Sequence, residues 1–262
     1  MFDLVPHGAD TYVGTGPRYP WGGLYGGQIV AQALRAASNT IDGEKIVHSL
    51  RAYFIRRGDA SEPVRYEVDR IRNGRSFSTR RVVARQAIGA ILNLEASYQR
   101  AEDSAVVTPA VMPDVPRAEA LEESSWSDDF GRRFVPEEAT PAPAMGAGRM
   151  AAWMKVTAPL PPGNGDLLHR CWLAYLSDDL PCDAVVRAHP RRTAIDGAED
   201  RFIASLDHSV WFHAPPQVDE WHLYDVSCIA YAGGRGLALG HTFSADGTHV
   251  ATFAQEALVR EP

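Results

Sequence analysis

His48-Ser49-Leu50-Arg51-Ala52-Tyr53-Phe54 is echoed later in the chain by His208-Ser209-Val210-Trp211-Phe212. Each copy is followed by the same progression: a short turn, a strand, a Gly-containing hairpin and two more strands. The first copy closes at Arg100 and the second at Arg260. An internal repeat sets the architecture before any residue receives a role. Two copies read as a fused pair of similar units, because a solenoid needs three or more repeats to bury its faces.

The segments before the strand copies carry helical patterns. Gly26-Gly27-Gln28 opens a helix expected to run to about Ser38, and Ile29, Val30, Ala31, Ala33, Leu34, Ala36 and Ala37 make it apolar nearly all round. Such a helix must be covered on every side, which a curved sheet would do. The expected strands of this half are Val47–Ile55, Val64–Arg72, Phe77–Gln86 and Ala90–Tyr98. Asn73-Gly74 and Ile88-Gly89 supply turn chemistry, and the alternation of Val64, Tyr66 and Val68 with charged residues suits one buried and one wet face.

Residues 101–146 change character. Acidic residues, Pro113, Pro116, Pro136, Pro141 and Pro143, and few periodic apolar positions mark a linker, too long for a simple connection, with a short helix expected near Arg117–Glu123. Beyond it Met150–Thr157 reads as a strand. Asn164 or Asp166 is placed to cap a helix running to about Ser177, which Pro181 prevents from continuing far. An irregular stretch through His189-Pro190-Arg191-Arg192 leads to the strands Phe202–His213, Trp221–Tyr231, Leu237–Ser244 and Val250–Val259, with turns at Gly233-Gly234 and Asp246-Gly247. One central helix wrapped by an antiparallel sheet, twice in one chain, is an α+β double hotdog. The expected divisions are an N-terminal repeat over 1–101, a Pro-rich acidic linker over 102–146 and a C-terminal repeat over 147–262. The two copies are expected to lie side by side and close each other's sheet edges.

A formal net charge of −7 argues against a nucleic-acid footprint, which needs clustered Lys and Arg. Arginine is dense over Arg70–Arg85, but it alternates with apolar residues as a solvated strand face would. Cys171, Cys182 and Cys228 are far apart and form no CxxC pair, so neither a zinc ribbon nor a dithiol motif is supported. An odd cysteine count fits a reducing compartment, here expected to be the cytoplasm. The first residues lack a signal-peptide pattern, and no window approaches a membrane span. No HExxH spacing, GxSxG elbow or P-loop is present, and no cofactor or metal is expected.

Three polar residues of the second copy sit where the pattern asks for something else. Asp178, at the C-terminal end of the second helix, faces the negative end of the helix dipole, at a cost of roughly 0.3–1 kcal/mol. It is either a solvated helix end beside Asp179 or a held carboxylate. Ser205 lies three residues before His208, where the first copy has Lys45. In a strand without a bulge, Asp207 shares a face with Ser205 and is its rival. Gln255 lies on a row whose other members, Ala251, Phe253, Ala257 and Val259, are apolar. An amide there needs partners, since burying one unpaired costs a few kcal/mol. A carboxylate, a hydroxyl and an amide can hold one water, with the carboxylate as general base. The backbone N–H groups at Gly27 and Gln28 can hold an oxyanion. Simple close packing at the helix start explains the same glycines.

At these residues the chain resembles the acyl-CoA thioesterase II (TesB-like) family of double hotdog proteins. The matching stretches are Tyr25–Leu34, Val47–Asp59, Tyr175-Leu176-Ser177-Asp178, Ala204-Ser205-Leu206-Asp207-His208-Ser209-Val210-Trp211-Phe212-His213, and Gln255-Glu256. The resemblance implies hydrolysis of fatty acyl-CoA to fatty acid and CoA by an activated water. The roles would fall on Asp178, Ser205 and Gln255, favouring Ser205 over Asp207. It also implies acyl-CoA as the partner and further association of double units into dimers or tetramers, with neither nucleic acid nor membrane as partner. Ser205 stands where many bacterial members have Thr. Asp179-Leu180-Pro181-Cys182 departs from the Leu-Asn-Phe type of sequence common there, and Arg57 replaces the usual Pro. The competing expectations are an acyl-CoA-binding protein without turnover, an enoyl-CoA hydratase and a structural pseudo-dimer. The hydratase would need an Asp–His pair, and no His lies near Asp178 in sequence.

Overall fold

The computed structural model describes residues 1–142, 146–161, 165–192 and 202–260. Asn164, one of the two expected caps, lies outside the described residues, as do 143–145 at the end of the expected linker. The strands are β1 (Val5–Pro6), β2 (Thr11–Gly14), β3 (Lys45–Phe54), β4 (Val64–Asn73), β5 (Phe77–Gln86), β6 (Gly89–Arg100), β7 (Phe130–Phe134), β8 (Ala147–Val156), β9 (Phe202–Ser205), β10 (Asp207–Phe212), β11 (His222–Ala232), β12 (Arg235–Ser244) and β13 (His249–Arg260). The helices are α1 (Gly26–Ser38), α2 (Gly165–Leu176) and α3 (Pro181–Ala188).

The strands form one antiparallel sheet in the order β1-β2-β4-β5-β6-β3-β10-β13-β12-β11-β8-β7, with β9 also on β13. The two copies of the His-Ser strand meet at its centre: β3 and β10 pair antiparallel, Leu50 opposite Val210 and Ser49 opposite Trp211. Each copy thereby covers an edge that would otherwise present unpaired N–H and C=O groups. The turn at Gly233-Gly234 holds both glycines at positive φ, 59° and 75°, the conformation a tight hairpin demands and side-chain-bearing residues resist.

Every residue of α1 except Gly26, Arg35 and Ser38 is buried, as its all-round apolar sequence requires. Its small residues let it lie directly on β3 to β6 while its other side packs on α2. The arginine-dense stretch divides by face. Arg81 and Arg85 pair on the exposed side with Asp69 and Glu67, and Arg70 pairs with Asp10. Arg80 is buried and donates to the Thr40 hydroxyl and carbonyl, tying β5 to the loop after α1.

Three features depart from the pattern reading. The stretch expected as linker supplies β7, which pairs with β8 from Phe130↔Val156 to Phe134↔Ala152. It also supplies a 3-10 turn at Ala118–Ala120, where the short helix was expected. Its Ala118 and Val135 form a second apolar cluster with Ala151, Trp153, Leu223 and Phe243. Spaced single apolar residues on an extended chain leave no period to detect. The second helix ends at Leu176, short of Pro181 as expected, but Pro181 also begins a further helix, α3, that the pattern did not show. Proline is tolerated at a first helical position because the N–H it lacks has no intrahelical partner there. The strand expected over Phe202–His213 is broken at Leu206, which has consequences for the site.

Candidate active site

α2 ends at Leu176, and the turn that follows carries Ser177, Asp178 and Asp179 before α3 begins. The turn faces the N-terminus of α1. A Cβ added to Gly27 would stand 2.3 Å from the Tyr175 carbonyl, so only glycine permits this approach, and Tyr25 Oη donates to the same carbonyl at 2.9 Å. The close-packing reading of Gly27 is therefore correct as far as it goes. A Cβ added to Gly26 would lie 2.6 Å from Asp178 Oδ2. The carboxylate stands between the negative end of α2 and the positive end of α1, so the second dipole opposes the unfavourable first.

Asp178 is 7% exposed, and its Oδ1 has no hydrogen-bond partner among the described residues. It is a buried carboxyl, not a solvated helix end. Burial pushes its pKa up to about 7; the Gly27 N–H pulls it down, neighbouring Asp179 raises it and the Gln255 amide lowers it. The Gly27 N–H, one of the two expected oxyanion donors, thus faces the carboxylate. Asp179 turns the other way. Its oxygens accept from Trp126 Nε1 at 2.7 Å and from Arg132 Nη1 at 2.7 Å, so the linker stretch neutralises the second acid of the turn.

The break in the β9–β10 strand settles which residue of Ser205 and Asp207 reaches this place. Ser205 lies opposite Ala257 and Ser209 opposite Ala254. Three residues, Leu206 to His208, therefore face two, Gln255 and Glu256, which is a bulge. The Leu206 N–H donates to Glu256 O at 2.8 Å, and the Asp207 carboxylate accepts the Glu256 N–H at 2.7 Å. Asp207 is consumed in holding the bulge. Ser205 Oγ instead accepts from Gln255 Nε2 at 2.7 Å.

Gln255 is fully buried and satisfied at both ends, its Oε1 lying 2.6 Å from His208 Nδ1. His208 Nε2 in turn lies 2.8 Å from Ser177 Oγ, so hydrogen bonds link the residue before Asp178 to Ser205. Burial pushes the pKa of His208 down to about 4, with the Gln255 contact opposing. Cys182 Sγ lies 3.4 Å from Ser205 Oγ, and burial pushes its thiol up to about 12. The Gln28 side chain turns away from the site into a buried series, accepting from Tyr19 Oη at 2.6 Å and donating to Gln32 Oε1 at 3.3 Å.

Asp178, Ser205 and Gln255 are thus brought together at the head of α1, with Gly27 and Gln28. Pattern reading missed the contributions of Ser177, Cys182, Trp126 and Arg132. His208 was visible as a repeat signature, but nothing in the sequence shows that its ring touches Gln255.

Residues 15–99 match the family model described as the acyl-CoA thioesterase N-terminal domain, and residues 107–259 match the acyl-CoA thioesterase C-terminal domain. The chain belongs to the acyl-CoA thioesterase family. Human acyl-coenzyme A thioesterase 8 is 34% identical over 99% of this chain and 88% of its own. Acyl-CoA thioesterase 2 of Haemophilus influenzae is 32% identical over 90% of this chain and 87% of its own. Among solved structures, an acyl-CoA thioesterase II of Mycobacterium marinum is 34% identical with a TM-score of 0.86, covering 100% of this chain and 96% of that one. A hot dog fold protein from Alicyclobacillus acidocaldarius, 20% identical with a TM-score of 0.78 over 100% of this chain and 97% of its own, shares the fold. This thioesterase-family chain is a hotdog protein with a large antiparallel sheet and few helices. Among its described residues no helix is long and apolar enough to cross a membrane.

Proposed function

We propose that the chain hydrolyses fatty acyl-CoA to a free fatty acid and CoA, through a water activated by Asp178 and oriented by Ser205 and Gln255. The observation that carries this reading is the buried Asp178 carboxyl, with one oxygen unpartnered, beside a linked hydroxyl and amide at a helix N-terminus. The carboxylate takes a proton from water as the water oxygen bonds to the thioester carbon. The carbonyl oxygen becomes an oxyanion, and the Gln28 N–H of α1, with no acceptor inside the helix, is the donor we assign to it, while the Gly27 N–H holds the Asp178 carboxylate. The carbonyl re-forms, the C–S bond breaks, and the CoA sulfur leaves with the proton that Asp178 holds. A base whose pKa is near 7 suits both directions of that transfer.

The step uses these side chains, water and the CoA carried by the substrate, and we assign it no cofactor. We further propose that residues 1–101 and 147–262 form two hotdog units of one pseudo-dimer, joined by 102–146, and that the asymmetry of the copies leaves one site per chain. We propose that such chains associate further into dimers or tetramers. The three free cysteines accord with a reducing compartment such as the cytoplasm. Both ring nitrogens of His208 are engaged, so it is not placed to act as the base a hydratase would need.

The test is CoA release by the purified chain across acyl lengths, beside Asp178→Asn, Ser205→Ala and Gln255→Ala. General-base loss should lower kcat by about 10²-fold or more. Full activity in Asp178→Asn and Gln255→Ala would overturn the assignment, and acyl-CoA binding without any release would make the chain a binder.

A further inference from the structure

A side-chain amide has an acceptor end and a donor end, and a site that uses it must tell them apart. Gln255 presents Oε1 to His208 Nδ1 at 2.6 Å and Nε2 to Ser205 Oγ at 2.7 Å. If His208 Nδ1 carried a lone pair, it would repel Oε1 at that distance, so the neutral ring must hold its proton on Nδ1. Nε2 is then an acceptor, and a donor stands before it: Ser177 Oγ at 2.8 Å, nearer than the alternative acceptor of that hydroxyl, Ala174 O, at 3.2 Å. The hydrogens run one way, from Ser177 to His208, to Gln255, to Ser205. Ser205 receives a hydrogen from the amide and, with the protonated Cys182 thiol 3.4 Å away taken as a second donor to it, keeps its own for the lone pair of a water. With the proton on Nε2 the order reverses. The amide would turn, Oε1 would face Ser205, and the serine hydrogen would be spent on it.

We propose that His208 is the positioning residue that sets the orientation of the Gln255 amide and, through it, the hydrogen-bonding sense of Ser205. The proposal deepens the hydrolytic reading of this site and rests on it. The first half supplies the contrast. His48 also reaches across to the neighbouring strand, β6, but with the other ring nitrogen: its Nε2 meets Ser97 Oγ at 2.8 Å. A hydroxyl ends the series there, whereas the longer amide of Gln255 passes it on. Burial keeps His208 neutral throughout the range in which Asp178 is ionised, so the order of donors stays fixed while the base works.

The experiment compares His208→Leu, which lacks a donor, with His208→Asn, whose amide N–H can stand where Nδ1–H stood. Each is made alone and together with Gln255→Ala, and kcat and KM for an acyl-CoA are read with the thermal midpoint. His208→Leu should lower kcat about tenfold or more with KM nearly unchanged, and His208→Asn should restore most of the loss. In the Gln255→Ala background His208→Leu should cost less than about twofold, because residues acting as one unit are not additive. An equal loss in both backgrounds, or no loss at all, overturns the proposal. The ring tautomer of the wild-type chain is read separately from the 15N shifts of His208. Nδ1–H is required and Nε2–H overturns the idea even if the leucine variant does not fold. That reading needs no turnover, so a chain that releases no CoA would sink the hydrolytic reading and leave the tautomer to decide this one.

Discussion

Gly26 leaves the space that Asp178 occupies: a Cβ on the glycine would stand 2.6 Å from the carboxylate Oδ2 and 3.0 Å from the Phe54 ring. At 2.6 Å a Cβ is closer to the carboxylate than real contacts allow, so the carboxylate must shift. Gly26→Ala should therefore displace Asp178, the proposed base. Misplacement by about 1 Å can cost about 10²-fold, so kcat should fall by that order while far-ultraviolet circular dichroism stays unchanged. Gly43→Ala is the control, since a Cβ there meets nothing within 4 Å. Equal activity in the two variants would show that the clearance at Gly26 has no part in catalysis.

The pH dependence follows from the same carboxyl. Burial raises Asp178 from 3.8 to about 7, and the proposed base must be ionised to act, so kcat/KM should fall as pH drops through about 7. Stability moves the other way. The folded chain holds this proton until about pH 7, whereas the unfolded chain releases it near 3.8. The contribution of Asp178 is therefore present below the unfolded value and lost as pH rises towards the folded one. The loss is on the order of 4 kcal/mol at most. Asp178→Asn should abolish the activity limb and raise the thermal midpoint above wild type at pH 8, with a smaller difference at pH 5. Calorimetry at both values checks it, and a destabilised variant at pH 8 would contradict the cause assigned to the shift.

Arg132 and Asp179 form an ion pair with side chains 13% and 7% exposed. Removing one partner of such a pair leaves an uncompensated charge and costs about 3–5 kcal/mol. Asp179 already pushes the carboxyl of Asp178 upward, so loss of the arginine charge should push it further. Arg132→Ala is expected to lower the midpoint of denaturant unfolding and to shift the activity limb to higher pH. A limb that stays in place would mean that the charge of Asp179 is screened from the base.

Cys182 lies beside Ser205 and Gln255, yet its thiol is pushed up to about 12 by burial. At pH 8 the thiol, not the reactive thiolate, therefore predominates. Iodoacetamide should therefore spare both the thiol and the activity of the folded chain, while all three cysteines react after denaturation. Mass spectrometry of the alkylated peptides decides this. Cys182→Leu should by contrast overpack the site, costing about 1–3 kcal/mol of stability and most of the activity.

Much of this was open to reading from residue order alone. The repeated His-Ser segment announced two strands, which pair with each other, and the unbroken apolar surface of Ile29–Ala37 required a covered helix, because periodicity and burial are local consequences of sequence. Gln255 on an apolar row and Asp178 at the wrong end of a helix were visible as violations of those same rules. The local pattern could not show β7, whose apolar residues have no period until β8 lies beside them. It could not show α3, because a proline that ends one helix can begin another. It could not choose between Ser205 and Asp207, since a bulge is defined by the register of the opposing strand.

The sequence by itself determined the repeated His-Ser strand, the buried helix and which polar side chains had to find partners. Tertiary structure decided the rest. It set the N-terminus of α1 against the end of α2, so that the charge disfavoured by one helix is supported by another. It put Leu206 to His208 opposite two residues of β13, turning Ser205 to Gln255 and Asp207 to the Glu256 backbone. It placed His208 between Ser177 and Gln255. The pKa of Asp178 and the direction of those hydrogen bonds depend on groups distant in sequence, and only the folded chain brings them within a few ångströms of one another.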